Sequence, residues 1–447
     1  MGELFKKIGE NNYEIFRLTI PNILTNITIP LLGAVDLAFV GHFSSNSTDI
    51  GALGLATVIF NVIFWAFGFL RMSTTGLTAH ASGRQADTFL ILYRALFLAL
   101  FFGVALITFQ SYISYFAFDL FLQDEALLAT ASSYFHIRIW AAPASLCLYV
   151  LHGWFLGIGR SVSPFLILSL VNIVNIVANF GFVYYLQWEI AGVAIGTVIA
   201  QYSGVLLGAV LLFKYEKQIF SNIGSYLSRV LNLKELAAYM KMNSDIFIRT
   251  MLMNAVFSYF AYSSESLGPE VLAANTILLN IINIHAFFSD GFAFSSERLV
   301  GKSIGSRDIR TLSSYIQLIF IWSYVFTVLF ALMTYILFDP LIELYSYDRE
   351  ILALLARYKF FLIAYILIGN YCFIWDGIFL GATDSKSMRN SMIICAGVFF
   401  ILAMIFMDHA EAERLWLLFC MFAALRGILL HIFANKRKRI WLNLTIK

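Results

Sequence analysis

Long apolar runs separated by short polar breaks occupy this chain almost from end to end. The runs fall at about 15–41, 50–72, 89–117, 130–157, 163–186, 190–213, 240–262, 271–297, 312–338, 351–381, 388–407 and 413–435. Each approaches or exceeds the roughly 20 residues a helix needs to cross the hydrocarbon core of a bilayer. Helix is the expected form of all twelve, because lipid supplies no water to exposed backbone N–H and C=O groups. The first run follows the short polar segment MGELFKKIGENNYE and contains prolines and an aspartate. That is not the form of a cleaved signal peptide, so a retained first helix is expected.

The polar breaks sort by sign. One set carries Lys6 and Lys7; Arg84; Arg160; Lys214, Lys217, Arg229 and Lys234; Lys302, Arg307 and Arg310; Lys386 and Arg389; and Lys436 to Arg439. The alternate set is acidic or neutral and includes Asp119, Asp124, Glu125, Glu189, Glu265, Glu270, Asp339, Glu343, Asp348, Glu350, Asp408, Glu411 and Glu413. Only Arg349 and Arg414 intrude. The excess of Lys and Arg on cytoplasmic loops puts both termini in the cytoplasm, with an even number of spans.

Composition agrees with the pattern. Of 447 residues, 60% are hydrophobic and 13% charged, against roughly 25% charged in soluble domains. The net charge of +3 is small, and no nucleic-acid partner is expected. Cys147, Cys372, Cys395 and Cys420 all lie in apolar runs without CxxC spacing, which reads as four inert membrane thiols. His80, His136, His152 and His285 form no metal-ligand spacing and read as packing or interfacial residues. No HExxH or GxxxxGK[ST] occurs, so an enzyme is not expected.

The chain also repeats itself. LHGWFLGIGRS at 151–161 aligns with WDGIFLGATDS at 375–385, an offset of 381 − 157 = 224 residues. Gly83-Arg84 pairs with Gly301-Lys302, and LGLATVIFN (53–61) with LAANTILLN (272–280). The longest polar stretch falls between the two copies. The expected organisation is an all-α polytopic protein: a six-helix lobe at 1–213, a cytoplasmic linker at 214–239 and a second six-helix lobe at 240–447. Parallel repeats of this kind are related by a pseudo-twofold axis along the membrane normal.

Candidate chemistry lies in the polar groups inside the runs. Asp36 sits in the first run with Arg17 and Arg71, its nearest basic residues in sequence, well away. A carboxylate in hydrocarbon is expensive and marks an ion or proton site by default. Burial also makes any carboxylate hold a proton more readily. Pro21 and Pro30 precede it, and proline kinks a helix by removing a donor, so they are read as a helix hinge. Asn172, Asn175 and Asn179 recur at spacings of three and four and share one helical face. That face must point at protein or water. Thr197 and Gln201 share a face of the next run. The second half offers Asp290, Glu297 and Asp376. Asp376 is the repeat partner of His152. Asp290-Gly291 is expected to shape a helix break, and Glu297-Arg298 to be solvated at a cytoplasmic edge. Arg138 and Arg249 are expected to snorkel or to form fixed ion pairs. The many aromatic residues are expected mostly to face lipid, with some lining a cavity where their faces would attract organic cations.

The segments IPNILTNITIPLLGAVDLAFVGH (20–42), FLRMSTTGLTAHASGR (69–84), FSDGFAFSSERLVGKSIG (288–305) and WDGIFLGATDSKSMRNSM (375–392) resemble the multidrug and toxic compound extrusion (MATE) family, in particular its DinF-like branch. The resemblance covers nearly the whole chain. It implies a cation-driven drug antiporter with two six-helix lobes around a central cavity open alternately to each side. It makes Asp36 the coupling carboxylate. It places Asn175 and Asn179 on the family's Asn-x-x-x-Asp pattern, from which this chain departs by carrying asparagine at 179. It matches Thr197 to a threonine near the coupling site, and Asp376 to an acid used in another branch. Asp290 and Asp376 are thus candidates for a second-lobe or substrate site. With one carboxylate in the first lobe, H+ is expected over Na+, since a hard cation prefers several oxygen ligands with carboxylate charge. The expected cargo is a drug-like small molecule, cationic or neutral, carried by a monomer in the bilayer with no cofactor beyond the coupling ion. A flippase for a lipid-linked saccharide, from the same superfamily, is the alternative.

Overall fold

The computed structural model describes residues 2–443 apart from 44–46, 120–123, 222–225, 227–228 and 407–411. The expected loop acids Asp408 and Glu411 lie outside the described residues, as do the side chains of Lys6, Lys7, Asp119, Lys438 and Arg439. Every regular element among the described residues is helical. The long helices are α1 (Gly2–Phe43), α2 (Ser47–Ala66), α3 (Phe69–His80), α4 (Gln85–Thr108), α5 (Glu125–Arg138), α6 (Ala142–Gly157), α7 (Val162–Asn179), α8 (Glu189–Tyr215), α9 (Leu233–Ser266), α10 (Pro269–Gly305), α11 (Ile309–Ile336), α12 (Arg349–Gly381), α13 (Ser385–Phe406) and α14 (Ala412–Asn443).

Among the described residues, ten helical stretches are long and apolar enough to cross a membrane. They coincide with ten of the expected runs. The runs at 15–41 and 240–262 lie within α1 and α9 but are not among those ten. They carry Arg17 and Asp36, and Lys241, Asp245 and Arg249. Burial runs opposite to that of a soluble protein. Ile173 and Val177 of α7 are 58% and 66% exposed while Asn175 and Asn179 are fully buried, because here the surrounding phase is lipid and the polar face needs protein partners.

The chain divides into two compact units. The first comprises 1–23, 79–83 and 241–447; the second comprises 24–78 and 84–240. Residues 2–43 are nonetheless one continuous helix, through both Pro21 and Pro30, and the division falls between Ile23 and Leu24. In the first unit the core gathers Val256, Phe260, Tyr365, Trp416 and Phe419. Tyr365 stacks on Phe419 at 4.6 Å, and the Trp416 indole N–H donates to the buried Asn275 amide oxygen at 2.9 Å, an interhelical bond of the kind that fixes helices in lipid. In the second unit Phe60 stacks on Phe135 at 5.1 Å, surrounded by Tyr134, Phe118 and Val183. The segment after α8 packs back on α4, with the Tyr93 hydroxyl on the Ile219 carbonyl and Arg94 on Glu235 and the Arg229 carbonyl.

The repeat has a packing reason. A Cβ at Gly153 would sit 2.4 Å from the Arg71 carbonyl oxygen, and one at Gly157 would sit 2.5 Å from Thr78 Cβ. The repeat partners behave alike: Gly377 faces the Ala293 carbonyl at 2.3 Å and Gly381 the Glu297 carbonyl at 2.6 Å. In each half a G-x-x-x-G pair lets α6 or α12 lie backbone to backbone against its neighbour. Each helix then ends in the same left-handed turn, at Gly159 (φ 84°) and Thr383 (φ 56°). The Arg160 N–H returns to the Phe155 carbonyl, as the Asp384 N–H does to that of Phe379, which closes the terminal carbonyls. A Gly157→Leu protein should lose about 1–3 kcal/mol or more of stability through overpacking. A Gly397→Leu control, where nothing lies within 4 Å of the added Cβ, should melt like the parent in detergent. Equal melting of the two would refute this account of the repeat.

Two expectations are corrected. Asp290-Gly291 makes no helix break: α10 is continuous from Pro269 to Gly305, and Gly291 instead admits Ile23, whose Cγ1 would lie 2.4 Å from an added Cβ. Glu297 is not solvated but 1% exposed. Past the apolar run α10 stays inside protein, with Gly305 set against the His80 backbone.

Candidate functional site

Asp36 of α1 is 2% exposed, and its partners come from two helices. The Asn179 Nδ2 group donates to Asp36 Oδ1 at 2.8 Å. The Thr197 hydroxyl lies 3.2 Å from Oδ2 and 3.0 Å from the Val193 carbonyl oxygen. Asn175 Nδ2 donates to Thr197 Oγ1 at 3.2 Å, and its Oδ1 accepts from Asn179 at 3.3 Å. The asparagine spacing thus does what a shared face permits: Asn175 and Asn179 meet Asp36 and Thr197, while Asn172 donates to the Thr28 carbonyl at 3.0 Å, two residues before Pro30.

Local backbone makes this approach possible. A Cβ at position 196 would stand 2.3 Å from Asn179 Oδ1, so glycine there lets α7 and α8 close up. Immediately after Asn179 the helix widens into a π turn, Phe180–Tyr185, a distortion frequent at functional sites. The Asn179 Oδ1 atom is buried with no hydrogen-bond donor among the described residues. The cluster therefore holds one carboxylate, an acceptor without a donor, and a hydroxyl whose single proton has two acceptors. Such a set can take up a proton and rearrange around it. Among the described residues no group of three His, Cys, Asp or Glu could hold a metal ion.

Thr197 also lines a cavity of about 270 Å³ within the second unit, with Asn172, Gln201, Trp65, Arg138 and His152. Arg138 does not snorkel away. Its Nη1 donates to the Tyr134 hydroxyl at 2.8 Å, its guanidinium lies 4.6 Å from the Phe60 ring centroid, and its charge acts on Asp36. An aromatic shelf therefore fixes the guanidinium at the cavity wall. No Asp or Glu is among the lining residues, so the preference for cations expected from the intramembrane acids is not written in the wall itself.

Asp376 is 6% exposed and pairs with Arg249 of α9 at 2.5 Å and with Arg426 of α14. Arg249 is thus a fixed ion pair. Arg426 was not singled out in the sequence; the signal was an arginine within the run 413–435. Asp290 is half-buried on α10 and belongs to the first unit, not to the Asp36 cluster. The four cysteines are buried and free. His285 packs against Thr327 at 3.2 Å.

The MatE family model matches residues 21–181 and again residues 246–405. The two starts are 246 − 21 = 225 residues apart, close to the offset of the internal repeat. DNA damage-inducible protein F of Escherichia coli (strain K12) is 32% identical over 437 residues, which is 96% of this chain and 92% of that protein. The probable multidrug resistance protein NorM of Thermotoga maritima is 22% identical over 358 residues, 78% of this chain and 75% of that one. The crystal structure of the Vibrio cholerae MATE transporter VcmN in the bent form superposes with a TM-score of 0.85 at 17% identity, covering 98% of this chain and 99% of that one. Bacterial transporter relatives and ten apolar helices make this a multi-pass inner-membrane protein. With the family pattern present in both halves and a relative matched over nearly its full length, the chain belongs to the MatE family, whose members are transporters and not enzymes.

Proposed function

We propose that the protein is a secondary active exporter that exchanges amphipathic organic compounds for protons, with Asp36 as the coupling carboxylate. The observation that carries this reading is the buried Asp36–Asn179–Thr197–Asn175 cluster beside the cavity, joined to it through Thr197. A carboxylate held by amide and hydroxyl groups alone can exchange a proton without first breaking an ion pair. Asn179 stands where a second acid would add charge, which leaves a Na+ ion a single carboxylate among its oxygens and favours H+. One proton at most then moves through this cluster per cycle.

In this reading the fold is twelve transmembrane helices in two six-helix lobes, 1–213 and 240–447, joined by a cytoplasmic linker at 214–239. Both termini face the cytoplasm, and the chain works as a monomer without a cofactor. Protonation of Asp36 from outside loosens its hold on Asn179 and Thr197, and α1 rearranges near Pro21 and Pro30, expelling substrate. Release of the proton to the cytoplasm resets the cluster. Asp376 is assigned to holding α9, α12 and α14 together rather than to coupling.

The test is efflux from proteoliposomes under one gradient at a time. A pH gradient alone should drive substrate movement, and a sodium gradient alone should leave it at the rate of protein-free vesicles. Sodium-driven transport without a pH gradient would overturn the proton assignment.

A further inference from the structure

Two arginines share one carboxylate in the first unit. Arg249 of α9 and Arg426 of α14 are each 4% exposed, and both donate through Nη2 to the same oxygen, Oδ2 of Asp376 on α12. Guanidinium is charged at every accessible pH, so the cluster buries one positive charge in excess. An uncompensated ion inside apolar helices is among the most expensive things a protein can bury.

The chain itself supplies no second negative charge. Among the described residues Asp376 is the one carboxylate paired with either guanidinium. Asp245, one turn before Arg249, is taken by Arg389 at 2.6 Å and by the Ser385 hydroxyl at 2.9 Å. Cys372, one turn before Asp376, lies in the field of the cluster but donates its thiol proton to the Gly369 carbonyl at 3.0 Å.

Surplus donors accompany the surplus charge. Arg249 Nε and Nη1 and Arg426 Nε are buried with no hydrogen-bond partner among the described residues. Arg426 Nη1 reaches Met253 Sδ at 3.6 Å, a weak acceptor. Because both guanidiniums are anchored on one oxygen, these N–H groups are gathered around one place. Buried donors are paired as a rule, and charge balance asks for the same partner: an acceptor that is negative.

Three partners can be weighed. Water accepts hydrogen bonds but brings no charge. An organic acid brings charge, but the three side chains it would touch are all more than nine-tenths buried, so α9, α12 and α14 would have to part to admit it. A monatomic anion brings one negative charge in a small volume and accepts from several donors without a preferred direction.

We propose that the Arg249–Arg426–Asp376 cluster is a binding site for a halide-sized monovalent anion, with the two arginines as its ligands. The ion balances two positive charges against two negative ones and ties α9 to α14 beside Asp376. It is a structural ligand of the first unit, and its binding is independent of the ion that drives transport.

The probe is chloride, exchanged for isethionate at fixed pH and ionic strength. The purified protein in detergent should melt about 2–4 °C higher in chloride. The gain should grow with the logarithm of chloride concentration, as binding to the folded form requires, and bromide should replace chloride. Equilibrium dialysis with radiolabelled chloride should find a single saturable site that bromide empties. An Arg426→Met protein, with one guanidinium left to one carboxylate, should melt alike in both salts and bind no chloride. Equal melting of the wild type in the two salts, or an Arg426→Met protein with the chloride response intact, overturns the proposal. Anomalous diffraction from wild-type crystals grown in bromide locates the ion without any variant. A peak in contact with both guanidiniums is expected, and bromide found only elsewhere overturns the assignment even if Arg426→Met does not fold.

Discussion

An Asp36→Asn protein in proteoliposomes should export nothing above protein-free vesicles when a pH gradient is the sole driving force, while inserting and melting like the parent. The fold should tolerate the change because the cluster can absorb it. The new amide oxygen accepts from Asn179 as Oδ1 does now, at 2.8 Å. The new amide N–H faces Thr197, whose hydroxyl can accept it and turn its own proton wholly to the Val193 carbonyl, already 3.0 Å away. Every group of the cluster that is paired now stays paired, and the change adds one further N–H to satisfy, so the loss of stability should be small. What disappears is the titratable group, and no other carboxylate takes part in the hydrogen-bonded cluster. Export persisting at even a tenth of the parental rate under a pH gradient would remove Asp36 from the coupling role.

An Asp376→Ala substitution should produce the largest loss of stability. It strips the shared anion from Arg249 and Arg426, whose side chains are each 5% exposed. Removing one partner from a buried ion pair costs about 3–5 kcal/mol, because the other charge is left uncompensated. Here two charges are left. The contrasting variant is Arg426→Met, which removes the excess cation and leaves one guanidinium facing one carboxylate. It forfeits contacts to Met253 and the Phe373 ring but unburies no lone charge, and it should be far milder. Chemical unfolding in detergent would rank the two, and an Asp376→Ala protein within about 1 kcal/mol of wild type would contradict the ion-pair account.

Much of this was legible in the chain because lipid makes polar residues conspicuous. Asp36 and the asparagines at 172, 175 and 179 have no inexpensive reason to sit in apolar runs, and helical spacing alone put the three amides on one face. The repeat was legible because close backbone packing tolerates only glycine at 153, 157, 377 and 381. Depth was not legible. A helix of 37 residues such as α10 outruns its apolar stretch, so nothing in the sequence distinguished a solvated Glu297 from one that α12 covers at Gly381. Partnership across distant segments was not legible either. Arg138 read as an interfacial cation because Tyr134 and Phe60 become its shelf only once α2 and α5 pack together, and Arg426 lies 50 residues from the aspartate it holds.

His152 and Asp376 occupy equivalent places, 376 − 152 = 224 residues apart, at the head of the same glycine-spaced turn. One borders an open cavity and the other is locked in an ion cluster. A duplicated gene begins with two copies of every position, and selection on the whole needs only one of them to keep a given task. In this chain both halves carry the same backbone feature, down to the left-handed turn at Gly159 and Thr383, while the side chains around it differ. A backbone feature can thus be kept in both halves while the side chain at its head serves a different neighbourhood in each.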